Sequence, residues 1–113
     1  MDITEKISFH ESTVRSFSKE DSSIKLELED VNYNAEKIKV CVNFTHVQNI
    51  IADQSPQNYV SMECPDGEVL TLEITDREAL LIIEWNNFST KESFIKSYKI
   101  TADNISLTKK DCT

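Results

Sequence analysis

At 113 residues, with 39% apolar and 28% charged side chains, this chain has the size and composition of one soluble domain with a single core. Its 12 basic and 20 acidic residues give a net charge of −8, which excludes binding to nucleic acid or an anionic membrane through a broad electrostatic surface. No apolar run approaches the roughly 20 residues of a spanning helix, and the N-terminal MDITEKISFHEST lacks the apolar stretch of a signal peptide, so the expected compartment is the cytoplasm.

Residues 1–113 are expected to form one domain, because the two prolines and the single glycine are isolated and no repeat or low-complexity stretch interrupts the chain. Ile7 to His10 alternates briefly, and Thr13 to Ser18 reads as a short strand with Val14 turned inward. Ser23 to Val31 alternates cleanly, with Ile24, Leu26 and Leu28 on one face and Lys25, Glu27 and Glu29 on the other. Lys37 to Thr45 repeats the pattern with Ile38, Val40, Val42 and Phe44 inward. One hairpin register satisfies both strands: Leu28 faces Val40, Leu26 faces Val42, Ile24 faces Phe44, and Glu29 meets Lys39 on the solvent side.

His46 to Asp53 is read as a strand continuing after a bend, with a short helical turn as the alternative, and Gln54 to Asn58 as a loop. Tyr59 to Cys64 alternates again and predicts a strand. Pro65-Asp66-Gly67 predicts a turn with glycine at a positive φ, leading into Glu68 to Thr75 with Leu70, Leu72 and Ile74 inward. After Asp76-Arg77-Glu78 the strand returns. Pairing Leu70 with Glu84 would bury a carboxylate, so the preferred register sets Ile74 opposite Leu81, Leu72 opposite Ile83 and Leu70 opposite Trp85. That choice sends Leu80 and Ile82 out of the opposite face, where they need a cover: another segment, a second copy or a different protein. Phe94 to Thr101 is a further strand, Ala102-Asp103-Asn104 a turn, and Ile105 to Thr108 a short edge strand that sets Ile100 opposite Leu107. The sum is an all-β fold of six to eight antiparallel strands: a sandwich, an open barrel or a curved sheet.

Chemistry-bearing residue types are sparse. Neighbouring side chains on a strand point to opposite faces, so His10-Glu11-Ser12 is no triad, and neither His10 nor His46 has cysteines at metal-ligand spacing. No enzyme activity, cofactor or metal is expected. Cys41, Cys64 and Cys112 are odd in number and lack a CxxC spacing, so reduced structural thiols are expected, and the three Asn-X-Ser/Thr matches at Asn43, Asn87 and Asn104 are read as chance. Charge is the one asymmetric feature. Residues 63–84 hold Glu63, Asp66, Glu68, Glu73, Asp76, Glu78 and Glu84 against Arg77 alone, which is −6 of the net −8. Acids that merely keep exposed strand faces soluble would account for such a run. The alternative is a contact surface made of Asp66, Glu73, Asp76 and Glu84 with Leu80 and Ile82, facing a basic protein.

The motifs FHES, LELEDV, DGEVLTLEI, IIEWNNF and a late YKI together resemble a group of small bacterial β-rich proteins with an FHDS-type start and a DGE…EW middle. Some members of such groups are similar to immunity proteins of polymorphic toxin systems. Glu11 stands where aspartate is commoner in that start. The resemblance implies an intracellular protein-binding module and carries over no catalytic residue; the charge pattern adds the expectation of an immunity protein whose acidic surface occupies a basic toxin. The competing expectations are a small-ligand carrier using a barrel interior, a structural domain without catalytic activity, and an enzyme centred on His10 or His46.

Overall fold

The computed structural model describes residues 7–109, and over them the chain is all-β, with 77% of residues in strands and no helix. The strands are β1 (Ile7–Ser8), β2 (Thr13–Glu20), β3 (Ser23–Tyr33), β4 (Glu36–Ala52), β5 (Ser55–Gln57), β6 (Asp66–Thr75), β7 (Glu78–Asn87) and β8 (Glu92–Lys109). Every pairing is antiparallel. Six strands close into a barrel in the order β2, β3, β4, β8, β7, β6 and back to β2, while β1 extends β3 and β5 extends β4. A closed ring leaves few free edges, which is how a small all-β chain avoids edge-to-edge association.

The β3–β4 hairpin adopts the register set by its alternation: Ile24 opposite Phe44, Leu26 opposite Val42, Leu28 opposite Val40. All six side chains are fully buried. On the outside Glu29 accepts from Lys39 at 3.6 Å and from Arg15 of β2 at 3.2 Å. The connecting residues Asn34 and Ala35 both have positive φ, as a two-residue hairpin turn demands. The chain has one glycine, and half of these conformations fall to Asp and Asn: Asp21, Asp30, Asn34, Asp53 and Asp76 all sit at positive φ. His46 does so too, at the bend where β4 continues toward Ala52 as a strand.

Several expected boundaries are corrected. Tyr59 to Cys64 is loop; Val60 is nonetheless buried and Met62 and Cys64 pack against the core, so their alternation records side chains folded onto the barrel without a partner strand. The Glu63–Lys96 ion pair, 3.1 Å long, pins this loop to β8. Part of the expected loop after Gln54 forms β5. Asp103 and Asn104 make no turn, because β8 runs unbroken for 18 residues and pairs along the length of β4, from Ala52 opposite Tyr98 to Val40 opposite Lys109. Leu107 therefore faces Val42 and Ile100 faces Ile50; a full ladder of backbone bonds outweighs a local turn preference.

The β6–β7 pair is corrected in register and confirmed in face. Leu81, Ile83 and Trp85 point inward and Leu80, Ile82 and Glu84 outward, but the partners are Leu72 for Leu81, Val69 for Ile83 and Gly67 for Trp85. A bulge between Val69 and Thr71 places Leu70 off the inner face and seats Val69 there instead. Gly67 is no turn residue either. Its φ is not positive, and it lies in β6 beneath the indole of Trp85, where a Cβ would stand 2.8 Å from Cζ3.

Side chains fill the barrel. Trp85, Tyr98, Phe17 and Phe44 are its largest members; the indole Nε1 donates to the Tyr98 hydroxyl at 3.0 Å, and Phe17 meets the Tyr98 ring edge-to-face at 5.1 Å. Each such side chain removed from water contributes about 1.5–3 kcal/mol. Closure between β2 and β6 is narrow: Thr13 opposite Glu68, with Val69 N donating to Ser12 O and Glu11 N to Val69 O, both at 2.8 Å. Ser12, fully buried, donates its hydroxyl to Phe9 O at 2.6 Å and so carries no unmet polar group into the seam.

Candidate interaction surface on the outer face of the barrel

The outward residues of β6, β7 and β8 form successive rungs. Asp66 lies opposite Asn86, which lies opposite Ser93; Glu68 opposite Glu84, opposite Ile95; Thr71 opposite Ile82, opposite Ser97; Glu73 opposite Leu80, opposite Lys99. All six residues singled out from the sequence therefore lie on or beside one surface, with Asp76 in the turn that joins β6 to β7. Leu80 retains 39% exposure and Ile82 is half-buried, with no described segment stacked over Leu80.

Direct cross-strand pairing brings Cβ atoms within about 5 Å, and like charges so placed destabilise a sheet. Glu68 and Glu84 are such a pair. The side chains of neither have an ion-pair or hydrogen-bond partner among the described residues, nor have those of Glu73 and Asp76, whereas Glu29 and Glu63 elsewhere on the barrel, and Glu78 at the start of β7 with Lys99, each meet a cation within 4 Å. Asp66 accepts from Asn86 Nδ2 at 3.3 Å. Two residues were missed by sequence reasoning. The alternation puts Glu68 and Ile95 outward, yet only the true register reveals that they share a rung with Glu84.

At the end of the β7–β8 hairpin, Phe88, Phe94 and Ile95 are 76%, 43% and 57% exposed. Asn87 Oδ1 accepts from the backbone N–H of Ser89 and of Thr90, which holds the connection in a defined turn. Ile95 points outward beside Glu84, whereas Phe94, its neighbour on β8 and opposite the inward Trp85, points to the other face.

His10 bonds through Nδ1 to Leu70 O at 2.9 Å and lies near Glu11; His46 lies 3.6 Å from Asp103, which also accepts from Gln48 at 3.1 Å. Among the described residues no three His, Cys, Asp or Glu side chains are grouped to hold a metal. The concave places include a groove of about 560 Å³ along β4 and β5, with Lys19, and one of about 420 Å³ between Phe9 and Leu72, with Glu73; each has one charged side chain. The cysteine expectation is corrected at Cys41, which is disulfide-bonded, while Cys64 is a half-buried free thiol and Cys112 lies outside the described residues. Spacing along the sequence gave no sign of this, because the fold and not separation along the chain sets which sulfurs meet.

The fold and this face define a class: a small antiparallel barrel of six strands with a filled interior and an acidic, partly apolar outer surface. Comparison with protein-family models, curated proteins and solved structures finds no match for the chain.

Proposed function

We propose that this chain is a small protein-interaction module that receives a basic protein partner on the β6–β7 hairpin, in the manner of an immunity protein occupying the cationic surface of a toxin. The observation that supports this reading is the Glu68–Glu84 rung. Two outward carboxylates face each other, with Glu73 and Asp76 nearby, and none has an ion-pair partner among the described residues. A cationic partner would relieve their mutual repulsion, and long-range attraction of this kind accelerates and selects encounters. The ligand-carrier alternative has less support, since Trp85, Tyr98 and Phe17 occupy the interior that a ligand would need.

The test is identification of the partner from the native host, followed by association kinetics at two salt concentrations. Glu73→Lys with Asp76→Lys slows association by at least about tenfold, and salt slows the wild type over the screening length of about 10 Å at 0.1 M. An acidic partner, or a rate indifferent to both salt and these reversals, leaves the charge as a solubility device.

A further inference from the structure

We propose that the end of the β7–β8 hairpin is the apolar anchor of that contact, and that Phe88 and Ile95 enter an apolar pocket on the partner whose rim carries lysine or arginine. This rests on the reading of a basic partner and goes further by naming the residues that give the contact its strength. The geometry points to it in two ways. Ile95 shares a rung with Glu84 and Glu68, so an apolar side chain 57% exposed lies directly beside Glu84, with Glu68 one strand further on, and neither carboxylate has an ion-pair partner among the described residues. Phe88 projects from the turn only a few rungs further on, 76% exposed, on a connection held by the Asn87 side chain.

Binding strength in protein contacts concentrates in apolar or aromatic anchors that are shut off from water, while charges at the rim mainly steer and select. A hairpin end with exposed apolar groups and carboxylates behind it supplies both parts. The occupant follows from charge complementarity. A second copy of a chain with net charge −8 would set Glu68 and Glu84 against carboxylates, whereas a cationic rim neutralises them as the anchors are buried.

The probe is a short peptide with lysines at both ends and a leucine–tryptophan–leucine centre. Its controls are the same peptide with serines at the centre and the same peptide with glutamates at both ends. Binding is followed by amide shift mapping on the full chain. The lysine peptide with the apolar centre is expected to bind at least about tenfold more tightly than its serine control, with the shifts centred on Glu84, Ile95 and the hairpin end. The pair Phe88→Ser and Ile95→Thr removes that advantage and leaves the weak binding of the serine control unchanged; both sites are exposed, and an unchanged melting temperature verifies folding. Glu68→Lys with Glu84→Lys weakens both cationic peptides. Equal binding of the serine control, or shifts confined to the Asp76 turn and insensitive to the Phe88 and Ile95 substitutions, overturns the anchor and leaves the basic-partner reading standing. Equal binding of the glutamate-ended peptide removes both. A dimer in sedimentation that the Phe88 and Ile95 substitutions dissociate makes the occupant a second copy and also overturns the proposal.

Discussion

Replacing Gly67 by alanine is expected to destabilise the barrel through Trp85. The added Cβ would stand 2.8 Å from Cζ3 and 2.9 Å from Cε3 of the indole, and 3.2 Å from Cγ2 of Ile83. Trp85 is fully buried and tied by its Nε1 to Tyr98, so the ring cannot swing aside without breaking that bond. Forcing a methyl into a packed core costs about 1–3 kcal/mol. Against this, alanine restricts the unfolded chain and returns about 0.4–1 kcal/mol where the native φ is negative. A net loss of about 1–2 kcal/mol remains, which for a domain of this size lowers the melting temperature by roughly 5–10 °C. Urea unfolding followed by the emission of the single tryptophan measures it directly. Asparagine separates this cause from a turn role. A left-handed turn position tolerates asparagine well; under the indole its larger side chain must cost more than alanine. In a cycle with Trp85→Phe, the Gly67→Ala penalty shrinks by about 1 kcal/mol. Stability of Gly67→Asn equal to or above that of Gly67→Ala refutes the packing argument.

Two further outcomes follow from the interior and the face. Burial holds the Tyr98 hydroxyl protonated well above the ordinary tyrosine value, outweighing the Trp85 N–H bond that favours the phenolate. The folded state thus binds its proton more tightly than the unfolded one, so the stabilisation is complete below the ordinary value of about 10 and is lost as pH climbs past it. Tyr98→Phe strands the indole N–H, costs about 1–3 kcal/mol at neutral pH, and flattens the alkaline loss; equal alkaline slopes for variant and wild type refute this. Glu84→Lys turns a like-charge rung into an opposite-charge one, so stability rises by about 0.2–1 kcal/mol at low salt, less at high salt, while affinity for a basic partner falls. Denaturation at two ionic strengths checks it, and no gain at low salt means Glu68 and Glu84 are not neighbours.

What was legible in the sequence follows from how local each cause is. The β3–β4 register could be read because two strands close in sequence alternate with the same period, and a one-residue slip would have put Ile24, Leu26 and Leu28 in water. The inward set of Leu81, Ile83 and Trp85 was legible from the cost of burying Glu84. The Leu70 bulge was not, because nothing in Val69-Leu70-Thr71 says which residue will be squeezed out; the curvature of the ring decides that. Gly67 looked like a turn because proline and aspartate precede it, and its true cause is an indole from another strand. For the candidate surface, charge density along the chain located the carboxylates. Their relation to Ile95 and Phe88 needed the β7–β8 ladder.

The long β4–β8 ladder also bears on the order in which the chain acquires its structure. During synthesis β2, β3 and β4 emerge first and can pair at once through short turns, since their contacts are local. The other edge of β4, with Val42, Phe44 and Ile50 along the strand, stays open until the last strand of the ring has been made. A nascent chain carrying the first half of the barrel therefore presents a long apolar strand with free backbone groups, the condition under which β proteins capture one another. Full-length chains released quickly should escape that hazard, whereas chains truncated before Glu92 should accumulate as aggregates rather than as a smaller sheet.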